Sequence, residues 1–363
     1  MTRLASSLLI LMLVFPFRAP AQDQPDIPEE HLSPNGKIAI GLLLPDRSHW
    51  KVAEAATLAI EEANSKGGYK QHKFELVIRT AEGLWGAGSK ESVSLVYEDH
   101  VRAIIGSLDG RNGHLAEQVA TKSHLSYIET FATEPTLSQA FVPWFMRVVP
   151  NDNQQSAVIL NQILKEGGGK IGILSVGTYD TRYAVRSLTK VAGRETGMAP
   201  LLIHLDTTSV QPGKVLEQIS SYKLQHLIIP FDAPCLAELI LDLGAQNPAL
   251  KIYGTLHLSM GIESRNSSWE PYEGVYMIGP HYNRKLYGLT DSRSAYLHDA
   301  VKLVINAIQQ VGTEREIITD YLSESTYTGG ATGTISFDEL GNRLSAPSLL
   351  HIKNGIPQLI NQP

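Results

Sequence analysis

Three groups of residues in this 363-residue chain have types and spacings that invite chemistry. The glycine-rich stretches Gly83-Leu84-Trp85-Gly86-Ala87-Gly88 and Gly167-Gly168-Gly169-Lys170 suggest phosphate loops, but neither has dinucleotide or P-loop spacing. The triplet also precedes an apolar run, whereas a phosphate loop must follow its strand. It reads as a helix C-cap and turn, and no nucleotide cofactor is expected. His114 and Glu117 have the i, i+3 spacing of a helical metal pair, yet no third ligand accompanies them, so no metal is expected. Ser, His and Asp are plentiful without a Gly-x-Ser-x-Gly elbow, which leaves no hydrolytic triad to infer and a non-enzymatic protein as the expectation. Cys235 is the single cysteine. It excludes a disulfide and a thiolate metal site, and it reads as a small core hydrophobe.

The elements that would position side chains follow a regular alternation. Strand-like apolar runs at Ile38 to Leu44, Phe74 to Ile78, Val101 to Ile105 and Ser126 to Glu129 alternate with helical patterns at Trp50 to Ser65, Lys90 to Asp99 and Gly113 to Ser123. After a break at Pro143 to Pro150 the alternation restarts. Strands are expected at Ile171 to Ser175, Pro200 to His204, Gln225 to Ile229 and Lys251 to Tyr253. Helices are expected at Asp152 to Glu166, Arg182 to Glu195, Gly213 to Tyr222 and Ala233 to Leu243. Nearly continuous apolar strands separated by helices imply parallel sheets covered on both faces, so the fold class is α/β with two doubly wound lobes.

A last section, the helix Arg293 to Gln310, the turn-rich Thr328 to Gly333 and a strand at Ile335 to Phe337, is too small to stand alone. It must complete the other two, giving a hinge that the chain crosses several times. Lobe one is expected over 36–148 plus 280–328, and lobe two over 149–279 plus 329–363.

The first 21 residues differ from the rest. A positive start at Arg3, an apolar Leu4 to Phe17 and small residues around Ala19-Pro20-Ala21 read as a cleavable secretory signal (1–21). The apolar run is too short to span a bilayer. Residues 22–35, rich in Pro, Asp, Glu and Gln, read as a flexible leader. No cysteine follows the signal to carry a lipid anchor, and no later stretch is long enough to be membrane-embedded, so a periplasmic location is expected. The net charge of −6 becomes −8 when Arg3 and Arg18 leave with the signal, which excludes the basic footprint of a nucleic-acid partner.

Ligands of open parallel sheets bind beyond the carboxyl ends of the strands. The loops that matter are therefore Pro45 to His49, Gly106 to Asn112, Thr130 to Pro135, Val176 to Thr181, Phe231 to Pro234 and Gly254 to Gly261. From these loops, Trp50 can wall the cleft or open a helix as a core residue. Asp180 and Asp232 can meet a ligand or cap a helix, and Arg111 and Asn112 can grip an anion through the Gly110 loop or stay solvated.

At these points the chain resembles the type I periplasmic solute-binding proteins of ABC importers, of the leucine/isoleucine/valine-binding kind. Four segments carry the likeness. They are Ala55 to Asn64 with Lys66-Gly67-Gly68; Gly106 through Leu137, ending in Ala132-Thr133-Glu134-Pro135-Thr136-Leu137; Arg147 to Gln154; and Gly333 to Asn342. The resemblance implies a two-lobed fold that closes on a small polar organic solute and delivers it to a membrane permease. The same module can instead serve as the sensing subunit of a membrane receptor or kinase.

The resemblance also implies site residues. Thr133, within Phe131-Ala132-Thr133, fits the position that receives an amino-acid ligand, with capping of a turn as its structural alternative. The hydroxyl that receives the ligand carboxylate falls on Gly110, and the acidic residue that receives its ammonium falls at Leu256-His257. An aromatic and glycine pair falls on Asp180-Thr181 beside Tyr179, where Asp180 can replace the missing acid. With one anchor for each charge altered, ordinary branched-chain amino acids are expected to bind weakly.

Overall fold

A computed structural model describes residues 27–83, 86–106, 109–209, 211–280, 282 and 288–360. The signal 1–21, most of the leader and Trp85 lie outside the described residues.

Five parallel strands form the first sheet: β1 (Ile38–Leu44), β2 (Phe74–Thr80), β3 (Ala103–Gly106), β4 (Ser126–Glu129) and β5 (Phe145–Arg147), in the order β2-β1-β3-β4-β5. Helices α1 (Ala53–Ser65), α2 (Ala87–Tyr97) and α3 (Gly110–Lys122) are the crossovers. Every residue of β1, β3 and β4 is buried, as strands covered on both faces must be.

The second sheet repeats this order. It holds β6 (Ile171–Ser175), β7 (Leu201–His204), β8 (His226–Ile229), β9 (Lys251–Gly254) and β10 (Tyr276–Ile278), with β11 (Leu349–Lys353) and β12 (Ile356–Leu359) added antiparallel at one edge. The full order is β7-β6-β8-β9-β10-β11-β12. Its helices are α4 (Asp152–Lys165), α5 (Tyr179–Thr196), α6 (Pro212–Tyr222), α7 (Leu236–Gln246) and α8 (Leu256–Ser264).

In each lobe the strand order reverses beside the first strand, at β1/β3 and at β6/β8. That reversal opens a crevice at the carboxyl ends, which is where such sheets bind ligands. Helices α9 (Ser292–Val311) and α10 (Arg315–Glu324) return to the first lobe, where α9 packs on α1 and α10 on β4. The chain therefore passes between lobes after β5, after β10 and after α10.

Hydrogen bonds tie these crossings together. Asn342 Oδ1 accepts from Ser138 Oγ at 2.6 Å and from Asn151 Nδ2 at 3.0 Å, while Arg343 donates to Val148 O at 3.2 Å. Asp299 on α9 accepts from Ala331 N at 2.6 Å and from Thr332 N at 2.8 Å.

Several local expectations need correction. Trp50 does not open an α-helix; it sits in a 3-10 turn over Arg47–Val52 whose Asp46 cap accepts from Ser48 N, and α1 starts at Ala53. The segment Gly254 to Gly261 is not a loop, because α8 begins at Leu256 directly after β9. Helix α3 starts at Gly110, three residues before the expected Gly113, because Asp109 caps it by accepting from Asn112 N at 2.8 Å. Ile335 and Phe337 make isolated bridges to Tyr327 and Arg343 and belong to neither sheet. The glycine triplet is the expected exit, as Gly167, Gly168 and Gly169 all have positive φ after α4.

Candidate functional site: an interlobe cleft

Between the carboxyl ends of the two sheets lies a cavity of about 340 Å³. Lobe one contributes Phe131, after β4, and Arg293, in the first turn of α9. Lobe two contributes Thr178, Asp180, Phe231, Asp232, His257 and Met260 among others. Contacts join the two walls directly. Gly110 N–H donates to Asp180 Oδ1 at 3.3 Å, Arg111 lies 5.1 Å from the centroid of the Tyr179 ring, and the Phe131 and His257 rings stack at 5.1 Å.

The lobe-one wall is shaped by buried charge. Glu129, at the end of β4, is fully buried, and its Oε1 accepts from the backbone N–H groups of Thr130, Phe131 and Ala132 at 2.7–3.0 Å. Its Oε2 accepts from the Tyr127 hydroxyl at 2.6 Å. Burial pushes the Glu129 carboxyl above its ordinary range despite these donors. Arg147, also fully buried, donates to Ala132 O at 3.2 Å, Glu134 O at 2.7 Å and Ser138 Oγ at 2.6 Å. Together the two side chains fix the turn 130–134.

Within that turn Thr133 is 3% exposed and does not line the cavity. Its carbonyl accepts from Asp152 N at 2.8 Å. Burial lifts Asp152 to about 7, against the opposing effects of the Thr133 hydroxyl and the Arg147 charge.

Gly110 is where a carboxylate-binding hydroxyl would stand in the resembling family. A Cβ there would fall 2.2 Å from Glu134 Cδ, so the Glu134 side chain fills the space that a serine would need. Glu134 is itself held by His114 Nε2 at 2.9 Å and Thr136 Oγ1 at 3.0 Å, and its buried Oε2 has no hydrogen-bond partner among the described residues. His114 is raised to about 9 by its bonds to Glu117 and Glu134.

The sequence-derived candidates therefore separate. Phe131, Asp180, Asp232 and His257 line the cavity. Gly110, Arg111 and Tyr179 adjoin it through the contacts across the cleft. Ala132 and Thr133 lie buried behind it, and Asn112 turns its side chain back to Asp109 Oδ2 at 3.2 Å. Trp50 is half exposed and lines a different cavity, with α1 and Leu289.

Three roles are corrected. Asp180 is not an N-cap, since Thr178 caps α5 by accepting from Thr181 N. Asp232 caps nothing; Arg265 pairs with its Oδ2, and Gly261 leaves the room it needs, since a Cβ there would lie 2.1 Å from Asp232 Cγ. Arg111 and Asn112 stand in the first turn of α3 rather than in a loop, with Arg111 over the Tyr179 ring and Asn112 turned to Asp109.

Burial pushes the Asp180 carboxyl up and the His257 imidazole down, so His257 presents a neutral, stacked ring to the cavity. Sequence reasoning passed over Glu134, Phe231 and Arg293. Glu134 and Phe231 lie within the loops Thr130 to Pro135 and Phe231 to Pro234, and Arg293 opens the expected helix Arg293 to Gln310, but none was marked as a site residue.

The sequence pattern of a family described as "Periplasmic binding protein" matches residues 37–350. The chain belongs to that family.

Solved structures share the fold across nearly its full length. An ABC transporter substrate-binding protein from Desulfitobacterium hafniense, in complex with Leu, superposes with a TM-score of 0.73 at 18% identity, covering 89% of this chain and 100% of that one. LivJ from Streptococcus pneumoniae, in complex with isoleucine, gives 0.73 at 18%, over 89% and 99%. A solute-binding protein from R. palustris, in complex with benzoate, gives 0.74 at 17%, over 90% and 96%. Among curated proteins, Glutamate receptor 3.7 of Arabidopsis thaliana is 28% identical over 166 residues, 43% of this chain, and the match covers only 18% of that receptor. Among the described residues of this periplasmic binding protein, no helix is long and apolar enough to cross a membrane.

Proposed function

We propose that this protein captures a small polar organic solute, an amino acid or a related compound, between its lobes and delivers it to the permease of an ABC importer. The observation that carries the reading is the cavity walled by both lobes, with Gly110 and Asp180 hydrogen-bonded across it. Two walls that meet around a small volume can enclose a ligand and part to release it. Structural relatives holding leucine, isoleucine and benzoate make organic solutes of that size the natural class. The mature chain works in the periplasm after loss of residues 1–21, and turnover of the bound molecule is not expected.

The partial likeness to a plant glutamate receptor favours a second reading, in which the same closure reports occupancy to a membrane receptor or kinase. Both readings require bound solute. Native mass spectrometry of the mature protein, purified gently from a bacterial host, should show a population heavier by one small molecule that collisional activation releases. A mass equal to the bare chain under every condition, with no uptake from a solute library, would refute both.

A further inference from the structure

Among the described residues, Arg293 is a cleft cation with no acidic partner. It lines the cavity and lies 4.6 Å from the centroid of the Phe131 ring, yet among the described residues it makes no hydrogen bond and no ion pair. Its Nε is buried without a partner. Asp291 and Asp46 act on it only from beyond ion-pair distance. Its position in the first turn of α9 sets it against the helix dipole as well.

The other cations near the cleft are all accounted for. Arg265 pairs with Asp232, Arg147 donates to two carbonyls and a hydroxyl, and Arg111 and Arg182, which lie over the Tyr179 ring, are exposed to solvent. A half-buried guanidinium without an acceptor is costly, and the group that satisfies its planar fork best is a carboxylate. Around it the walls are apolar or aromatic at Phe131, Phe231, Met260, Val176 and the His257 ring, with the carboxylates of Asp180 and Asp232 also in the lining.

The carboxylate position that the resemblance implies is closed here, because the buried Glu134 side chain occupies the space beside Gly110. We infer that the cleft takes a small organic carboxylate, its acid group paired with Arg293 and its apolar body against Phe131, Phe231 and Met260. This assignment rests on the proposed capture of a solute between the lobes and moves the anion anchor from the loop after β3 to the start of α9.

Calorimetry on the mature chain, freed of any co-purified molecule, tests it with benzoate, phenylacetate and hexanoate against benzamide, phenylacetamide and hexanamide. At least one acid should bind, and its amide should bind tenfold or more weakly. Arg293→Met keeps the apolar stem on Phe131, so it should weaken the acid by about 10- to 100-fold, the loss of charged hydrogen bonds. The melting temperature of the empty protein should stay the same or rise. Arg293→Lys, which keeps the charge and loses the fork, should fall between.

Equal affinity of Arg293→Met and the parent for the acid would overturn the assignment, as would a drop in melting temperature with affinity unchanged. If the amides bind and the acids do not, solute capture stands and the carboxylate falls. If nothing binds and native mass spectrometry finds no co-purified molecule, capture itself falls and this assignment with it.

Discussion

Arg147→Met should lower stability by about 3–5 kcal/mol, the largest effect expected of any single change in the cleft wall. The guanidinium is fully buried and supplies donors to Ala132 O, Glu134 O and Ser138 Oγ. Methionine fills much of its volume but leaves the two carbonyls unmatched, at about 1–3 kcal/mol for each buried polar group stranded. It also removes the positive charge that opposes the burial of Glu129 and Asp152.

Set against a total of about 5–15 kcal/mol for an ordinary domain, such a loss is a large fraction. Denaturant unfolding of parent and variant measures it. Arg147→Lys should recover only part, because an ammonium cannot reproduce the fork that reaches three acceptors. A variant within about 1 kcal/mol of the parent would show that the turn 130–134 is held by its own backbone bonds to Glu129, with Arg147 a bystander.

Leucine, isoleucine and valine should bind with dissociation constants no better than about 1 mM. Each carries a carboxylate and an ammonium on one carbon, and the position that the resemblance implies for each charge is altered here. Beside Gly110 the carboxylate would confront Glu134, already committed to His114 and Thr136. At the ammonium position stands His257, whose ring is buried, stacked on Phe131 and pushed toward neutrality, which leaves that charge to Asp180 or to Asp232, already paired with Arg265. An unpaired charge brought into such a site costs several kcal/mol, more than a thousandfold in affinity. Calorimetry with the three amino acids settles the matter. Submicromolar binding of any one would mean that Asp180 and Arg293 together receive both charges of a single α-carbon.

Sequence patterns carried the architecture further than the site. The strand Ile38–Leu44 is an unbroken apolar run because both faces of β1 are covered, and its boundaries follow from that alone. The long helix α9 was legible for a similar reason, since Ala295, Ala300, Val301, Val304 and Ile308 repeat at helical spacing and are all buried. The three-residue strands Phe145–Arg147 and Tyr276–Ile278 are too short for any periodicity to register. Ile335 to Phe337 carries a strand-like alternation spent on isolated bridges instead.

The cleft shows the same division. Phe131, Asp180, Asp232 and His257 were reachable because they follow strands or begin helices at the carboxyl ends of the sheets, where topology puts ligands. Trp50 satisfied the same rule and still faces another cavity, since the turn Arg47–Val52 carries it outward. That Glu134 fills the space at Gly110 is a tertiary contact across 24 residues of chain, and no local pattern encodes it. Arg293 reaches the cleft only because the chain returns after β10 and starts α9 at the mouth of the cavity.

The central claim is that the two lobes close on a solute between them, and small-angle X-ray scattering on the mature chain tests it most directly. The protein would be stripped of any co-purified molecule by partial unfolding and dialysis, refolded, and measured before and after a solute identified by native mass spectrometry is restored. The account predicts a smaller radius of gyration and a loss of the longest interatomic distances on binding, reversed when the solute is removed again. A tightly bound solute that leaves both the radius of gyration and the distance distribution unchanged would contradict it.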